Sequence, residues 1–368
     1  MIMVNEPLLN GNERKYLNKC IDTSWVSSEG PFVEKFETQM AKYVGRKFAT
    51  ACSSGTAALD IAVSALELQD GDEVIMPSFT IISCAQALTK LGVRPVLVDS
   101  EYDTFNMKVE DIEPNITSKT KAIMIVHIYG LPVNMDPILD LAKKYNLKVI
   151  EDAAQAIGQT YKNKQCGSFG DISIFSFYPN KHITTGEGGM VLCNDASLDK
   201  KSKDLRNLCF SEQRFVHYEI GFNYRMTNMQ AALGVAQLER IEEIVEKKRW
   251  IGETYNGLLQ DLDMLNLPVK SNNYCENIYW VYAITLKDHA SKTVKQVMSE
   301  LGDYKIGTRP FFYPMHQQPV FNKAGLFLQD KLPNSKKLYK RGFYIPSGLA
   351  LTQSQITEVS SALHKVLL

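Results

Sequence analysis

The sequence has no surplus of charge: 41 lysines and arginines stand against 41 aspartates and glutamates, with no long basic block. That balance argues against nucleic acid or an anionic membrane as the main partner, so an anionic ligand must be held by a local cluster. No apolar run approaches the length of a membrane span. The opening stretch carries Asn5 and Glu6 early and has no cleavable apolar core, so no signal peptide is expected. The seven cysteines form no CxxC pair. An odd, scattered set suits reduced, mostly buried thiols in a cytoplasmic protein. Low-complexity linkers and internal repeats are absent too.

What the first two thirds do have is a rhythm of short apolar runs and amphipathic stretches. Strands are expected at residues 48–52, 73–76, 95–98, 122–127, 147–151, 172–177 and 189–193. Several are apolar along their whole length, as strands covered on both faces must be. Helices are expected at 56–66, 82–91 and 137–145. This alternation predicts an α/β fold with a mostly parallel sheet. From 229 to 250 the spacing predicts one long helix, with Val235, Leu238, Ile241 and Ile244 as its apolar stripe and a solvated charged face. Beyond it, a strand at 280–286 and a helix at 291–301 predict a smaller α+β domain. The division reads as 1–248 and 249–368, with room for the N-terminal segment to pack on the smaller part.

Five segments carry chemistry. Ser54, Gly55 and Thr56 close a strand and open a helix, where free N–H groups suit a phosphate but equally a plain cap. In EDAAQA, Asp152 ends an apolar strand, where α/β sheets place their ligands. Its carboxylate can face a pyridinium nitrogen or remain a solvated strand end, and Gln155, a turn further on, can donate to a ring's phenolic oxygen. In SFYPNKHITTGEGG, Lys181 is an amine able to form a Schiff base, and Ser176 offers a hydroxyl for phosphate. Gly186, Gly188 and Gly189 permit a tight turn beside the lysine, while His182 is expected to diverge from it. These are the protein parts that pyridoxal phosphate needs.

The fourth segment, GFNYRMTN, sets Asn223 and Arg225 before a helix cap at Thr227. It reads either as a structural turn or as a reach to phosphate, including across a subunit interface. The fifth, TRPFFYPMHQQP, offers Arg309 and His316 among aromatics. That arginine can hold a diphosphate or carboxylate bidentately, or stack on the surface. Candidate cations for a diphosphate are Arg214, Arg225, Arg309 and Lys340; Cys52 and Cys84 read as small core residues near the site.

With GTAAL, EDAAQAIG, GSFGDISIFSFYPNKHITTGEGGMV, NYRMTNMQAALGVAQLERI and RPFFYPMH in this order, the chain resembles the DegT/StrS family of nucleotide-sugar aminotransferases over nearly its whole length. The NYRMTN and RPFFYPMH segments look most like its perosamine-forming branch. The resemblance implies a fold type I aminotransferase with a mostly parallel seven-stranded sheet. It implies pyridoxal 5′-phosphate as cofactor, with pyridoxamine phosphate as its intermediate form, and no metal. L-glutamate would be the amino donor, leaving 2-oxoglutarate, and a 4-keto-6-deoxy nucleotide sugar the acceptor. A homodimer with active sites at the interface is also implied.

By motif position, Lys181 would form the Schiff base, Asp152 would pair with the ring nitrogen and Gln155 would lie by the ring hydroxyl. Gly55, Thr56 and Ser176 would hold the phosphate, joined by Asn223 of the partner subunit. Arg225, Arg309 and His316 would contact substrate. Lysine rather than histidine at 181 favours transamination over sugar dehydration. At Ile81, similar chains often carry an aromatic that stacks on the cofactor; isoleucine can cover that face only by dispersion. The nucleotide (GDP, UDP or dTDP) and C4 against C3 amination stay open. A cofactor-binding regulator that does not turn over is the reading from another class.

Overall fold

The computed structural model describes residues 1–213 and 215–368. Its main sheet has seven strands: β1 (Phe48–Cys52), β2 (Glu73–Pro77), β3 (Arg94–Val98), β4 (Thr120–Val126), β5 (Lys148–Asp152), β8 (Ile172–Ser176) and β9 (Gly189–Cys193). A two-stranded hairpin, β6 (Thr160–Tyr161) and β7 (Lys164–Gln165), lies between β5 and β8 in sequence. The spatial order is β1-β9-β8-β5-β4-β2-β3. β9 is antiparallel to both its neighbours, and the other pairings are parallel. The expected α/β architecture with a mostly parallel seven-stranded sheet is therefore the one observed.

Alternation along the strands explains the layering. In β4, Ala122, Met124 and Val126 join the core shared with helices Gly55–Ala65 and Ile82–Thr89, whereas Ile123 and Ile125 face the core shared with helix Met135–Tyr145. Both faces are dry, which is why these runs read as continuously apolar.

The expected long helix at 229–250 is a correction. Two helices stand there, Asn228–Leu238 and Ile241–Leu259. A turn at Glu239 and Arg240 separates them, with Arg240 at φ −119° and ψ 16°. The second helix starts afresh with Glu242 and Glu243 in its first turn, where acids suit the helix dipole. The stripe Val235, Leu238, Ile241 and Ile244 nevertheless buries as one surface across the break. The charged face is not wholly solvated either, because Lys248 is 2% exposed.

A second sheet, ordered β10 (Leu265–Asn266), β11 (Tyr282–Leu286), β13 (Gly342–Ile345), β12 (Arg309–Pro310), lies wholly in the C-terminal third. Helices Val294–Asp303 and Gln353–Leu367 share its core with Ile2 from the other end of the chain. Ile2 pairs with Ile306, and Val4 accepts from the amide of Ser347 at 3.1 Å. The N-terminal segment thus runs along this second sheet before reaching the first. Among the described residues, no helix is long and apolar enough to cross a membrane.

Candidate active site

A cavity of about 440 Å³ opens at the C-terminal ends of β1, β5 and β8. Lys181, Asp152, Gln155, Ser176, Gly55, Thr56 and Ile81 all line it. Residues scattered through the sequence therefore meet where a mostly parallel sheet presents its strand ends.

The helix Gly55–Ala65 starts on this cavity. Ser54 caps it: its hydroxyl accepts from Ala57 N–H at 3.1 Å and its carbonyl from Ala58 N–H at 3.0 Å. The amides of Gly55 and Thr56 are left for an anion, with the helix dipole behind them. Gly55 lies against Ser176, and a Cβ on it would stand 2.7 Å from the Ser176 Cβ. Opposite, a Cβ on Gly189 would stand 2.2 Å from the Ser54 carbonyl oxygen. The small residues here form a cradle that larger ones would fill.

Asp152 is fully buried at the floor. Its Oδ1 accepts from Ala154 N–H at 2.9 Å and its Oδ2 from the Cys84 thiol at 3.3 Å. Burial raises its pKa, opposed by those hydrogen bonds and by the charges of Lys181 and His127. Burial in turn holds the Cys84 thiol well above its ordinary range, helped by the Asp152 charge, so the thiol stays a donor. The preceding residue, Glu151, points to the other face of the strand. There it accepts from His127 Nε2 at 2.9 Å and from the Phe169 amide at 2.8 Å, so it is a satisfied core carboxylate.

Lys181 follows β8 in a loop bound at its base, where Phe177 N–H donates to Gly188 O at 2.9 Å. Its amine lies 3.8 Å from the centroid of the Trp280 ring. Burial lowers its pKa to about 8, against the attraction of Asp152 and Cys84. Gln155 accepts from Tyr129 N–H through its amide oxygen at 2.9 Å, which turns its NH2 group to other work. Ile81 is 41% exposed on the cavity wall.

Other candidates lie elsewhere. Asn223 is exposed and Arg225 half-buried; neither lines this cavity. Arg225 bonds Asn207 Oδ1 at 2.5 Å beside a second hollow. Arg309 is exposed on β12, paired in register with Tyr344, which does line the cavity. His316 is buried, its Nδ1 2.8 Å from Ser78 Oγ, and lies off the cavity lining; Lys340 is exposed. His182 is buried behind the loop, bonded to the Ile278 carbonyl at 3.2 Å, with burial lowering its pKa to about 3. Arg214 lies outside the described residues.

Sequence reasoning missed Trp280, Phe312 and Tyr344, which form the C-terminal wall of the cavity. It also missed Tyr178 and Asn180, which line the cavity from within the lysine segment itself. The aromatic run FFYP was the signal for Phe312; nothing local marked Trp280.

The residues present fit pyridoxal phosphate: an amide-lined helix start for phosphate, a buried carboxylate, an amide NH2 and a lysine share one cavity. Comparison with known proteins agrees. The model of the DegT/DnrJ/EryC1/StrS aminotransferase family matches residues 7–364. A GDP-perosamine synthase of Caulobacter vibrioides is 43% identical over 368 residues, covering 100% of this chain and 98% of the relative. Another of that name, from Escherichia coli O157:H7, is 40% identical over 365 residues, covering 99% and 98%. Among solved structures, the aminotransferase from Psychrobacter cryohalolentis superposes with a TM-score of 0.93 at 31% identity, covering 99% of this chain and 98% of that one. The protein is an aminotransferase with pyridoxal 5′-phosphate as its cofactor. With a family match over nearly its entire length and a cavity built for that cofactor, the chain belongs to the DegT/DnrJ/EryC1/StrS aminotransferase family.

Proposed function

We propose that this enzyme transfers the amino group of L-glutamate to the keto carbon of a 4-keto-6-deoxy nucleotide sugar. The product is a 4-amino-4,6-dideoxy nucleotide sugar of the GDP-perosamine type, a precursor for glycans such as O-antigen. The observation that carries the reading is full-length identity of 43% and 40% to two GDP-perosamine synthases. In the cytoplasm, nucleotide sugars are at hand and thiols stay reduced; the seven free, buried cysteines accord with that location.

Bound in the cavity, the cofactor supplies an electron sink for the carbanion left when a substrate C–H bond breaks. The remaining work belongs to the chain. Asp152 would pair with the ring nitrogen, its carboxylate already held by Ala154 N–H and Cys84. Gly55, Thr56 and Ser176 would hold the phosphate, and the NH2 of Gln155 the ring hydroxyl. Ile81 would cover one ring face by dispersion. Lys181 would link to the cofactor. Displaced by the substrate amine, Lys181 would move a proton from the glutamate α carbon to the cofactor in the first half-reaction and, after 2-oxoglutarate leaves, from the cofactor to the sugar carbon on one face in the second. A pKa near 8 leaves a useful neutral fraction at neutral pH.

The reading includes a homodimer in which Asn223 completes the partner's site. In support, Asn223 is exposed and off its own cavity, near exposed Tyr218 and Ile220. A further group of exposed apolar residues, Trp25 and Val26, adjoins Asn228.

The test is glutamate with a panel of GDP-, UDP- and dTDP-linked keto sugars, followed by mass spectrometry. The GDP-linked 4-keto-6-deoxy sugar should gain an amino group fastest. Preference for a UDP- or dTDP-linked sugar, or amination at C3, would move the chain to another branch of the family. No turnover with any of them would overturn the reading.

A further inference from the structure

Trp280 is 3% exposed, and its contacts converge on the lysine segment. Its ring face lies 3.8 Å from Lys181 Nζ, measured to the centroid. Its Nε1–H donates to the carbonyl of Asn180, the residue before Lys181, at 2.7 Å. Its own carbonyl accepts from Nζ of buried Lys248 at 2.8 Å, and Lys248 also donates to Ser347 O at 2.6 Å. The Asn180 carbonyl takes a second donor, Asn5 Nδ2 from the N-terminal segment, at 3.2 Å. The indole therefore touches the lysine amine and ties the peptide beside it, while the Trp280 backbone is itself tied to Lys248 of helix Ile241–Leu259.

A primary amine over an indole face is attracted when charged, and most strongly where water is excluded. The lysine side chain carries four rotatable bonds, so a surface that attracts its end removes rotamers that lead nowhere. We propose that Trp280 is the positioning residue for Lys181: its indole face holds the free amine in the cavity, and its N–H fixes the backbone that carries it. This rests on the reading of Lys181 as the residue that bonds the cofactor. Trp280 acts through Lys181, and the bonds that hold Asp152 and the Ser54 cap do not involve it.

The experiment compares Trp280→Met, which fills most of the volume without an aromatic face, with Trp280→Phe, which keeps a face but loses the N–H. Each full-length chain is freed of cofactor and mixed with pyridoxal phosphate across a range of pH. Covalent capture is trapped by borohydride and located by peptide mass. Affinity for pyridoxamine phosphate, which has no aldehyde, is measured by equilibrium dialysis. For Trp280→Met the capture rate at high pH should fall about tenfold or more, and the midpoint of the pH profile should move to lower pH, because the charged amine has lost its face. For Trp280→Phe the rate should fall less and the midpoint stay near that of the wild type. Pyridoxamine phosphate affinity should change by less than about twofold in both.

A wild-type rate and midpoint in Trp280→Met would overturn the proposal. So would a loss of pyridoxamine phosphate affinity in step with the capture rate, which would mean a damaged cavity. Should Trp280→Met fail to fold, Trp280→Phe decides through its rate. Capture that persists in Lys181→Ala would instead overturn the assignment of Lys181 itself.

Discussion

The Cys84 thiol donates to Asp152 Oδ2 across 3.3 Å, beneath the cavity floor. The other carboxylate oxygen is held by Ala154 N–H, and burial nevertheless raises the pKa of the group. Cys84→Ala should cost about 1–2 kcal/mol in urea unfolding, because it strips a buried carboxylate oxygen of a donor. Cys84→Ser should recover most of that loss. Equal stability of the two variants would show that the contact carries no weight.

The catalytic assignments predict a pattern of complementation. Lys181→Ala should lose all turnover, and Asn223→Ala most cofactor affinity. Co-expressed, the two chains should form mixed dimers with one intact site, restoring about a quarter of wild-type activity if pairing is random. An Asn223 acting in its own subunit would give no recovery.

Gly189→Ala is expected to be severe. The new methyl group would meet a backbone carbonyl oxygen, not a side chain able to swing away. A loss of about 2–3 kcal/mol should appear in unfolding, together with weakened cofactor binding, because that carbonyl belongs to the Ser54 cap. Wild-type behaviour would mean that strand β9 has slack at its first residue.

Asp99, just past β3, caps a helix remote in sequence. Its carboxylate accepts from the Asn334 amide at 2.9 Å, the Ser335 amide at 2.8 Å and the Ser335 hydroxyl at 2.6 Å. These are the first residues of helix Pro333–Arg341, so a side chain of the main sheet serves as its cap. Asp99→Ala should lower stability by about 2–3 kcal/mol, and Asp99→Asn by less. Differential unfolding with proteolysis of the 333–341 helix as a second probe would show where the loss falls.

Lys248 gives a pH signature. Burial lowers its pKa to about 7 in the folded protein, against ~10.4 for a free lysine. Between those values the unfolded chain carries the extra proton, so stability rises with pH across that window. Lys248→Met should flatten the rise. Comparing urea midpoints of the two proteins at pH 7 and 8.5 isolates the effect from groups that titrate higher. Parallel curves would refute it.

The sequence exposed what is local and hid what is assembled. The strands were legible because burial on both faces makes them apolar end to end, as in β4. Lys181, Asp152 and Ser176 were legible because each sits next to a strand end with its chemistry beside it. The break at Glu239 and Arg240 was not, since the apolar stripe passes through it undisturbed. Neither was Lys248: within EKKRW, nothing distinguishes the lysine that faces the core from its solvated neighbours. Trp280 reaches the cavity from a segment far along the chain, and its indole meets there a backbone carbonyl and an amine, which leave no pattern in composition.

One strand in the main sheet runs against the rest, and this decides what the lysine segment can be. A strand parallel to β8 would have needed a crossover, carrying the chain to the opposite rim and back through a helix. With β9 reversed, the connection from Ser176 to Gly189 leaves and re-enters on the same rim. A short hairpin then delivers a hydroxyl, an amine and a close-packing glycine to a single point, with little loop-closure entropy to overcome. None of the described residues that line the cavity comes from the opposite rim, so insertions there should leave the reaction unchanged.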